Sequence, residues 1–184
     1  QGDFRMTSNQ NLIIANIPQD QKATIEGLAR QHGLMGETIS LLKQNSMACV
    51  SLPTCSLAMA EAERYLPAFV EKVELLTDKH GISNHPIVMR MTGCPNGCAR
   101  PFMAEIAFIG KAAGRYNMYL GSDGIGTRVN KLYRENIDEA TILAELDQLF
   151  EQYAANRQAE ETFGNFVVRS GVIKAVTEGR LFHE

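Results

Sequence analysis

The chain has 184 residues, of which 45% are hydrophobic and 21% are charged. This composition suits a soluble protein that forms one domain and part of another. A net charge of −3 does not favour nucleic-acid binding, and we recognise neither an apolar run of membrane-spanning length nor a signal peptide. We therefore expect no membrane contact, a cytoplasmic location and reduced cysteines.

The first forty residues predict two strands followed by a helix. The strands are expected at 3–7 and 11–17, because the second of them is rich in leucine and isoleucine. Pro18 ends that strand, Asp20 is a candidate N-cap, and Gly33 is placed to end the helix.

The next segment predicts an irregular connection and then two helical runs. Residues 34–48 are polar and have no clear period. A helix is expected to begin at Thr54 or Ser56 and to continue through the alanines that follow. Pro67 is expected to kink or restart it, and Gly81 to end the second run.

The rest of the chain predicts strands and one long helix. Strands are expected at 87–91, 105–109 and 115–120, with a weaker one at 129–133. A helix capped by Asp138 follows, with apolar residues at helical spacing. The glycines between residues 121 and 126 favour a plain turn over a dinucleotide site, and the tail at 163–173 gives no clear prediction.

All four cysteines of the chain occur in two pairs, Cys49 with Cys55 and Cys94 with Cys98. Soft thiolates select zinc, Cu(I) or an iron-sulfur cluster. The first pair is spaced too widely for a typical zinc knuckle, whereas a cuboidal cluster takes one thiolate at each iron and tolerates unequal spacing. Four buried hydrophobic thiols and a structural zinc site remain the alternatives.

The loop between the second pair of cysteines has a composition that suits a cluster. Gly93 and Gly97 let the backbone approach a bound group closely. Pro95 and Asn96 favour a turn that opens a helix. Cys98 is then expected near a helix N-terminus, where the dipole favours the thiolate form.

These cysteine segments resemble the sirohaem and [4Fe-4S] signature of the sulfite and nitrite reductases. The resemblance lies in MTGCPNGCARP at 91–101 and ACVSLPTC at 48–55. Further segments are similar to the haemoprotein (β) subunits of NADPH-dependent sulfite reductase; they are residues 2–13, 58–66, 114–117, 126–128 and 163–166. The similarity thus extends over nearly the whole chain.

The resemblance implies an α+β fold with a mixed sheet and helices. Residues 1–40 would be part of a ferredoxin-like repeat, and residues 41–184 the domain that binds sirohaem and the 4Fe-4S cluster. Members of the family are much longer and consist of two pseudo-equivalent halves. We therefore expect a fragment from the C-terminal part of such a subunit, separated from its N-terminal half.

The resemblance also implies roles for the cysteines. Cys98 would be the catalytic ligand, because it both binds the cluster and bridges to the sirohaem iron. Cys49, Cys55 and Cys94 would be cluster ligands only.

Five other residues match family segments that face the macrocycle, and sirohaem needs cations and amide donors for its carboxylates. They are Arg5, Gln10, Asn11, Thr92 and Asn96. Surface or capping roles are the alternatives for Arg5 and Gln10.

The implied activity is the six-electron reduction of sulfite to sulfide in sulfate assimilation and cysteine biosynthesis. Electrons would come from NADPH through an FAD/FMN flavoprotein (α) subunit. The alternatives are a ferredoxin-dependent sulfite or nitrite reductase and, from another class, a structural zinc module with four cysteine ligands. Asn96, Gly97 and Arg100 look more like the sulfite reductases. Because the cations that hold sulfite are expected outside this chain, the fragment alone is predicted to be inactive, and loss of its cofactors is an open alternative.

Overall fold

A computed structural model of the chain describes residues 2–35, 39–181 and 183. The contacts between Cα atoms divide the chain into two compact units, Gln1–Ile39 and Ser40–Glu184. We call these the first unit and the second unit.

The first unit is a hairpin followed by a helix. Strands β1 (Asp3–Met6) and β2 (Leu12–Ala15) pair antiparallel, and helix α1 spans Lys22–Gln31. The predicted strands are confirmed. The predicted cap is wrong, because Asp20 lies in a short 3-10 turn before α1 and the helix has no side-chain cap. Gly33 adopts φ +67° just after the helix, as a terminating glycine does.

The first unit has almost no core of its own. Ala29 is the single buried apolar residue among its described positions. Large apolar side chains on its strands are exposed; they include Phe4, Met6, Leu12 and Ile13. An open groove of about 790 Å³ lies between β2 and α1. Local structure has formed here without the burial that normally stabilises it.

The second unit is built on a mixed five-stranded sheet. Its strands are β3 (Ser46–Ala48), β4 (Met89–Thr92), β5 (Ile106–Ala112), β6 (Arg115–Leu120) and β7 (Lys131–Ile137), in that spatial order. The first three are parallel to one another, and the last three are antiparallel. The predicted α+β class with a mixed sheet is confirmed.

Part of the predicted connection at 34–48 is regular structure. It contains the short helix α2 (Leu41–Gln44) and strand β3, while residues 36–38 lie outside the described residues. Both elements are too short to show a period in the sequence.

Three further helices cover the sheet. They are α3 (Leu66–Lys79), α4 (Glu139–Asn156) and α5 (Phe163–Arg169). The helix predicted from Thr54 or Ser56 is absent, and α3 begins at Leu66 with Pro67 in its first turn. Asp138 caps α4 as predicted, since its carboxylate accepts a hydrogen bond from the Thr141 amide at 3.0 Å. No helix in the described part of the chain is both long and apolar enough to cross a membrane.

The main core lies between one face of this sheet and the helices. Phe69 of α3 packs edge-on against Phe108 of β5, with ring centroids 5.3 Å apart. Phe150 and Phe163 extend the same cluster toward α4 and α5. A smaller cluster around Tyr119 covers part of the opposite face. The rigid sheet between the two clusters carries the cysteine loops at one edge.

Candidate cluster-binding site

Two of the cysteines follow neighbouring parallel strands. Cys49 comes directly after β3, and Cys94 lies two residues beyond the end of β4. Parallel neighbours deliver their carboxyl ends to the same edge of a sheet. The Cys49 amide donates to the Met91 carbonyl at 3.2 Å, and the Gly93 amide lies 3.4 Å from Cys49 Sγ. The sheet itself therefore brings these two loops together.

Gly93 ties the loop of Cys55 to the loop of Cys94. Its carbonyl accepts hydrogen bonds from the amides of Met59 (2.7 Å) and Ala60 (3.2 Å). A Cβ atom at position 93 would lie 1.8 Å from Ser51 Oγ and 2.7 Å from the Ala60 carbonyl oxygen. The Cys55 amide in turn donates to the Ser51 carbonyl at 2.8 Å. Only glycine fits at this crossing point.

The loop from Cys94 to Cys98 is a turn that leads into irregular chain. Gly97 adopts φ +68°, and its amide donates to the Cys94 carbonyl at 3.4 Å. The Thr92 hydroxyl donates to the same carbonyl at 3.2 Å. Cys94 is buried and Cys98 is exposed. The α-helix predicted after this loop is absent, because only a 3-10 turn at Pro101–Met103 follows. The predicted helix-dipole effect on Cys98 is therefore wrong.

The thiol groups affect one another electrostatically. Burial raises the pKa of Cys49, the amides of Gly93 and Ser51 partly offset this rise, and the nearby thiols of Cys98 and Cys94 raise the pKa further. Three of the four thiols are therefore close enough for their thiolates to repel one another. Positive charge from a bound group would remove that penalty.

These thiols do not converge on a point. Within the described residues, no group of three or more histidine, cysteine, aspartate or glutamate side chains is arranged to hold a metal ion. A structural zinc ion requires four such ligands around a single centre. A cuboidal cluster takes one thiolate at each of several irons. Thiolates are ligands that both kinds of group accept.

Arg90 contributes a buried positive charge beside the site, which we did not predict from the sequence. It lies in β4, and its Nη1 donates to the Arg100 carbonyl at 3.0 Å. Burial lowers the pKa of Arg90, and the charge of Arg100 lowers it further. The available signal was a single charged residue within an otherwise apolar strand.

The other predicted site residues are divided between the two units. Thr92 is buried and Asn96 is exposed in the second unit, on either side of Cys94. Arg5, Gln10 and Asn11 are exposed in and after β1 of the first unit. Their contacts with a macrocycle stay predictions, as do the ligand roles of the cysteines.

Comparison with known proteins relates the chain to one group of enzymes. It is 68% identical over 97% of its length to the "Sulfite reductase [NADPH] hemoprotein beta-component" of Shewanella pealeana, and 67% and 66% identical to those of Shewanella piezotolerans and Shewanella loihica. The chain spans about a third of these relatives, 32% for the first. The structure of the NirA protein of Mycobacterium tuberculosis matches 90% of the chain, with a TM-score of 0.74 and 24% identity. No protein-family model matches.

The mixed sheet and its helices define an α+β fold that the chain shares with the NirA structure. The sequence relatives then specify the group. Over about a third of their length, the chain is similar to the haemoprotein β-components of NADPH-dependent sulfite reductase. The resemblance predicted from its motifs is confirmed.

Proposed function

We propose that this chain provides the cluster-binding part of a sulfite reductase haemoprotein. Cys49, Cys55, Cys94 and Cys98 would ligate a 4Fe-4S cluster. The observation that carries this proposal is the position of Gly93, whose amide contacts Cys49 Sγ and whose carbonyl holds the loop of Cys55. Cys49, the loop of Cys55 and the adjacent Cys94 are thereby organised around one residue.

The residues of the chain would prepare this site in three ways. The end of β4 fixes the loop of Cys94, the Gly93 amide donates toward sulfur, and buried Arg90 supplies positive charge. When bound, a 4Fe-4S cluster and sirohaem would supply single-electron transfer for the reduction. Cys98 is exposed, which suits a thiolate shared with a second cofactor.

The proposed reaction of the complete enzyme is the six-electron reduction of sulfite to sulfide. Relatives of the chain are components of NADPH-dependent sulfite reductases, which favours a flavoprotein α-subunit as the electron donor over ferredoxin. Thr92, Asn96, Arg5, Gln10 and Asn11 are proposed sirohaem contacts. The proposal includes a substrate site with cations outside these 184 residues, so the isolated segment would not reduce sulfite.

The first test is metal analysis of the full chain, purified without oxygen. We expect about four irons and four acid-labile sulfides per chain, no stoichiometric zinc, and a broad absorption in the blue. Additional Soret and red bands would report sirohaem. A colourless protein with stoichiometric zinc would contradict the proposal.

Cysteine variants test the ligand set. Cys55→Ser is expected to lower iron and sulfide well below the wild-type content, because one iron loses its protein ligand. Thr54→Ala is the matched control, since Thr54 is an exposed neighbour in the same loop and should leave the iron content unchanged. Cys98→Ser should also remove the sirohaem bands. Equal iron in Cys55→Ser and Thr54→Ala would exclude Cys55 as a ligand.

A further inference from the structure

The chain after Cys98 is anchored by a buried side chain. Asn130 is completely buried, just before β7. Its Nδ2 donates to the carbonyls of Pro101 (2.8 Å) and Ala104 (2.9 Å), and its own amide donates to the Phe102 carbonyl at 3.0 Å. One residue thus binds three carbonyls of the short segment that follows the last cysteine.

The orientation of this carboxamide is fixed by its partners. Both Nδ2 hydrogens have carbonyl acceptors, so the nitrogen must face the 101–104 segment. The Oδ1 atom of Asn130 then has no hydrogen-bond partner among the described residues. Burying an unpaired acceptor costs free energy, but an apolar residue at this position would remove the donor to the Pro101 and Ala104 carbonyls. The two Nδ2 hydrogen bonds of the Asn130 side chain thus hold the 101–104 segment in place.

The segment held by Asn130 supports the turn that carries Cys98. The Arg100 amide donates to the Gly97 carbonyl at 2.8 Å. A Cβ atom at Gly97 would lie 3.4 Å from Pro101 Cδ and 3.5 Å from Phe102 Cε2, so the turn is packed directly on this segment. The connection therefore runs from Asn130 through residues 101–104 to the turn next to Cys98.

We propose that Asn130 is a positioning residue for Cys98. No α-helix follows the cysteine loop, and Asn130 instead fixes the backbone of the segment after Cys98. This inference rests on the proposed function, because the geometry that it protects is that of a cluster ligand. Asn130 itself would not contact the cluster.

The test compares Asn130→Leu with Thr77→Val in the full chain. Asn130→Leu keeps the number of side-chain heavy atoms and the backbone hydrogen bond but removes both Nδ2 donors. Thr77 is the matched control, because it is a buried residue of α3 whose hydroxyl donates to the Glu74 carbonyl at 2.9 Å. Three quantities are measured: amide hydrogen exchange across residues 97–104, the electron paramagnetic resonance spectrum of the reduced cluster, and the rate of iron loss to a chelator.

We expect Asn130→Leu to raise exchange across residues 97–104 at least tenfold, to change the spectrum and to accelerate iron loss, while Thr77→Val matches the wild type in all three. Unchanged exchange in Asn130→Leu would overturn the anchoring role even if the wild type holds its irons. Faster exchange with an unchanged spectrum and iron loss would overturn the positioning role and leave Asn130 a structural residue. A wild-type chain without iron would overturn the proposed function, and this role with it.

Discussion

The two units of the chain contrast in how their structure is supported. In the second unit, aromatic and aliphatic side chains such as Phe69 and Phe150 are completely buried between sheet and helices. In the first unit, Phe4 is 74% exposed and Met6 is 91% exposed, although both lie in a regular strand. Both units thus have secondary structure, and only the second has a core that can stabilise it.

This contrast distinguishes the local residue preferences that form strands and helices from the tertiary packing that stabilises them. A two-stranded hairpin with one helix is at best marginally stable in water, because ordering each residue costs entropy that only burial repays. The first unit leaves large apolar side chains exposed, and the chain spans 32% of the first of its relatives. The second unit does not expose its main core in this way.

Truncating a core side chain should change the free energy of unfolding more than any other substitution proposed here, and only in the second unit. Phe69→Ala removes a fully buried ring and is expected to lower the free energy of unfolding by about 4 kcal/mol. Leu28→Ala in α1 is the matched control; Leu28 is 46% exposed, so the expected change is within about 0.5 kcal/mol. Urea unfolding followed by tyrosine fluorescence measures this, because all five tyrosines lie in the second unit. Equal losses from both variants would show that the first unit shares the core.

Replacing Gly93 of the second unit by alanine should give the next largest loss in the free energy of unfolding. Gly93→Ala places a methyl group within 1.8 Å of Ser51 Oγ, and we expect a loss of about 3 kcal/mol because this crowding must be relieved by moving the loops. Cys94, 7% exposed in the native chain, should then react with a thiol reagent as fast as exposed Cys98.

Gly27→Ala in α1 is the control for this experiment. No atom lies within 4 Å of the added Cβ, and alanine is the better helix former by about 1 kcal/mol. We expect unchanged tyrosine unfolding, unchanged thiol reactivity and slightly more helix by circular dichroism. A Gly93→Ala variant with wild-type reactivity at Cys94 would refute the tight crossing of the two cysteine loops.

Local patterns in the sequence were sufficient to predict elements in both units. The strands of the first unit, α3 and the capped helix α4 follow from residue preference, apolar spacing and one N-cap. The helix predicted after Cys55 failed for a tertiary reason. Its alanines favour helix, but the amides of Met59 and Ala60 bind the Gly93 carbonyl instead. Helix propensity is a weak prior when a distant backbone acceptor competes for the same donors.

The cysteines and glycines of the candidate site could be predicted from the sequence, but the side chains that hold its loops in place could not. Cysteine spacing and the glycines indicated which loops meet, because those residue types have few other uses in such a pattern. Arg90 and Asn130 could not be found in this way. Their importance depends on carbonyls that are distant in sequence, those of Arg100, Pro101 and Ala104. A side chain that binds distant backbone leaves no periodic signal in the sequence.

The smallest predicted effect concerns ion pairs that join distant elements. Asp147 of α4 binds Lys79 (2.7 Å) and His80 (2.7 Å) at the end of α3, whereas Lys22 and Glu26 of the first unit pair within a single helix.

Hydrogen bonds from Lys79 and His80 hold the pKa of Asp147 below its usual value of 3.8. A depressed carboxylate pKa stabilises the fold above the unfolded-state value, and this contribution disappears as the pH falls through the folded-state pKa. Asp147→Asn should therefore cost about 0.5 kcal/mol at pH 7 and much less once the pH falls below the folded-state pKa of Asp147. Glu26→Gln should leave tyrosine-detected unfolding unchanged at both pH values, because its pair lies outside the second unit. A pH-independent loss in Asp147→Asn would instead show that the carboxylate acts only through packing.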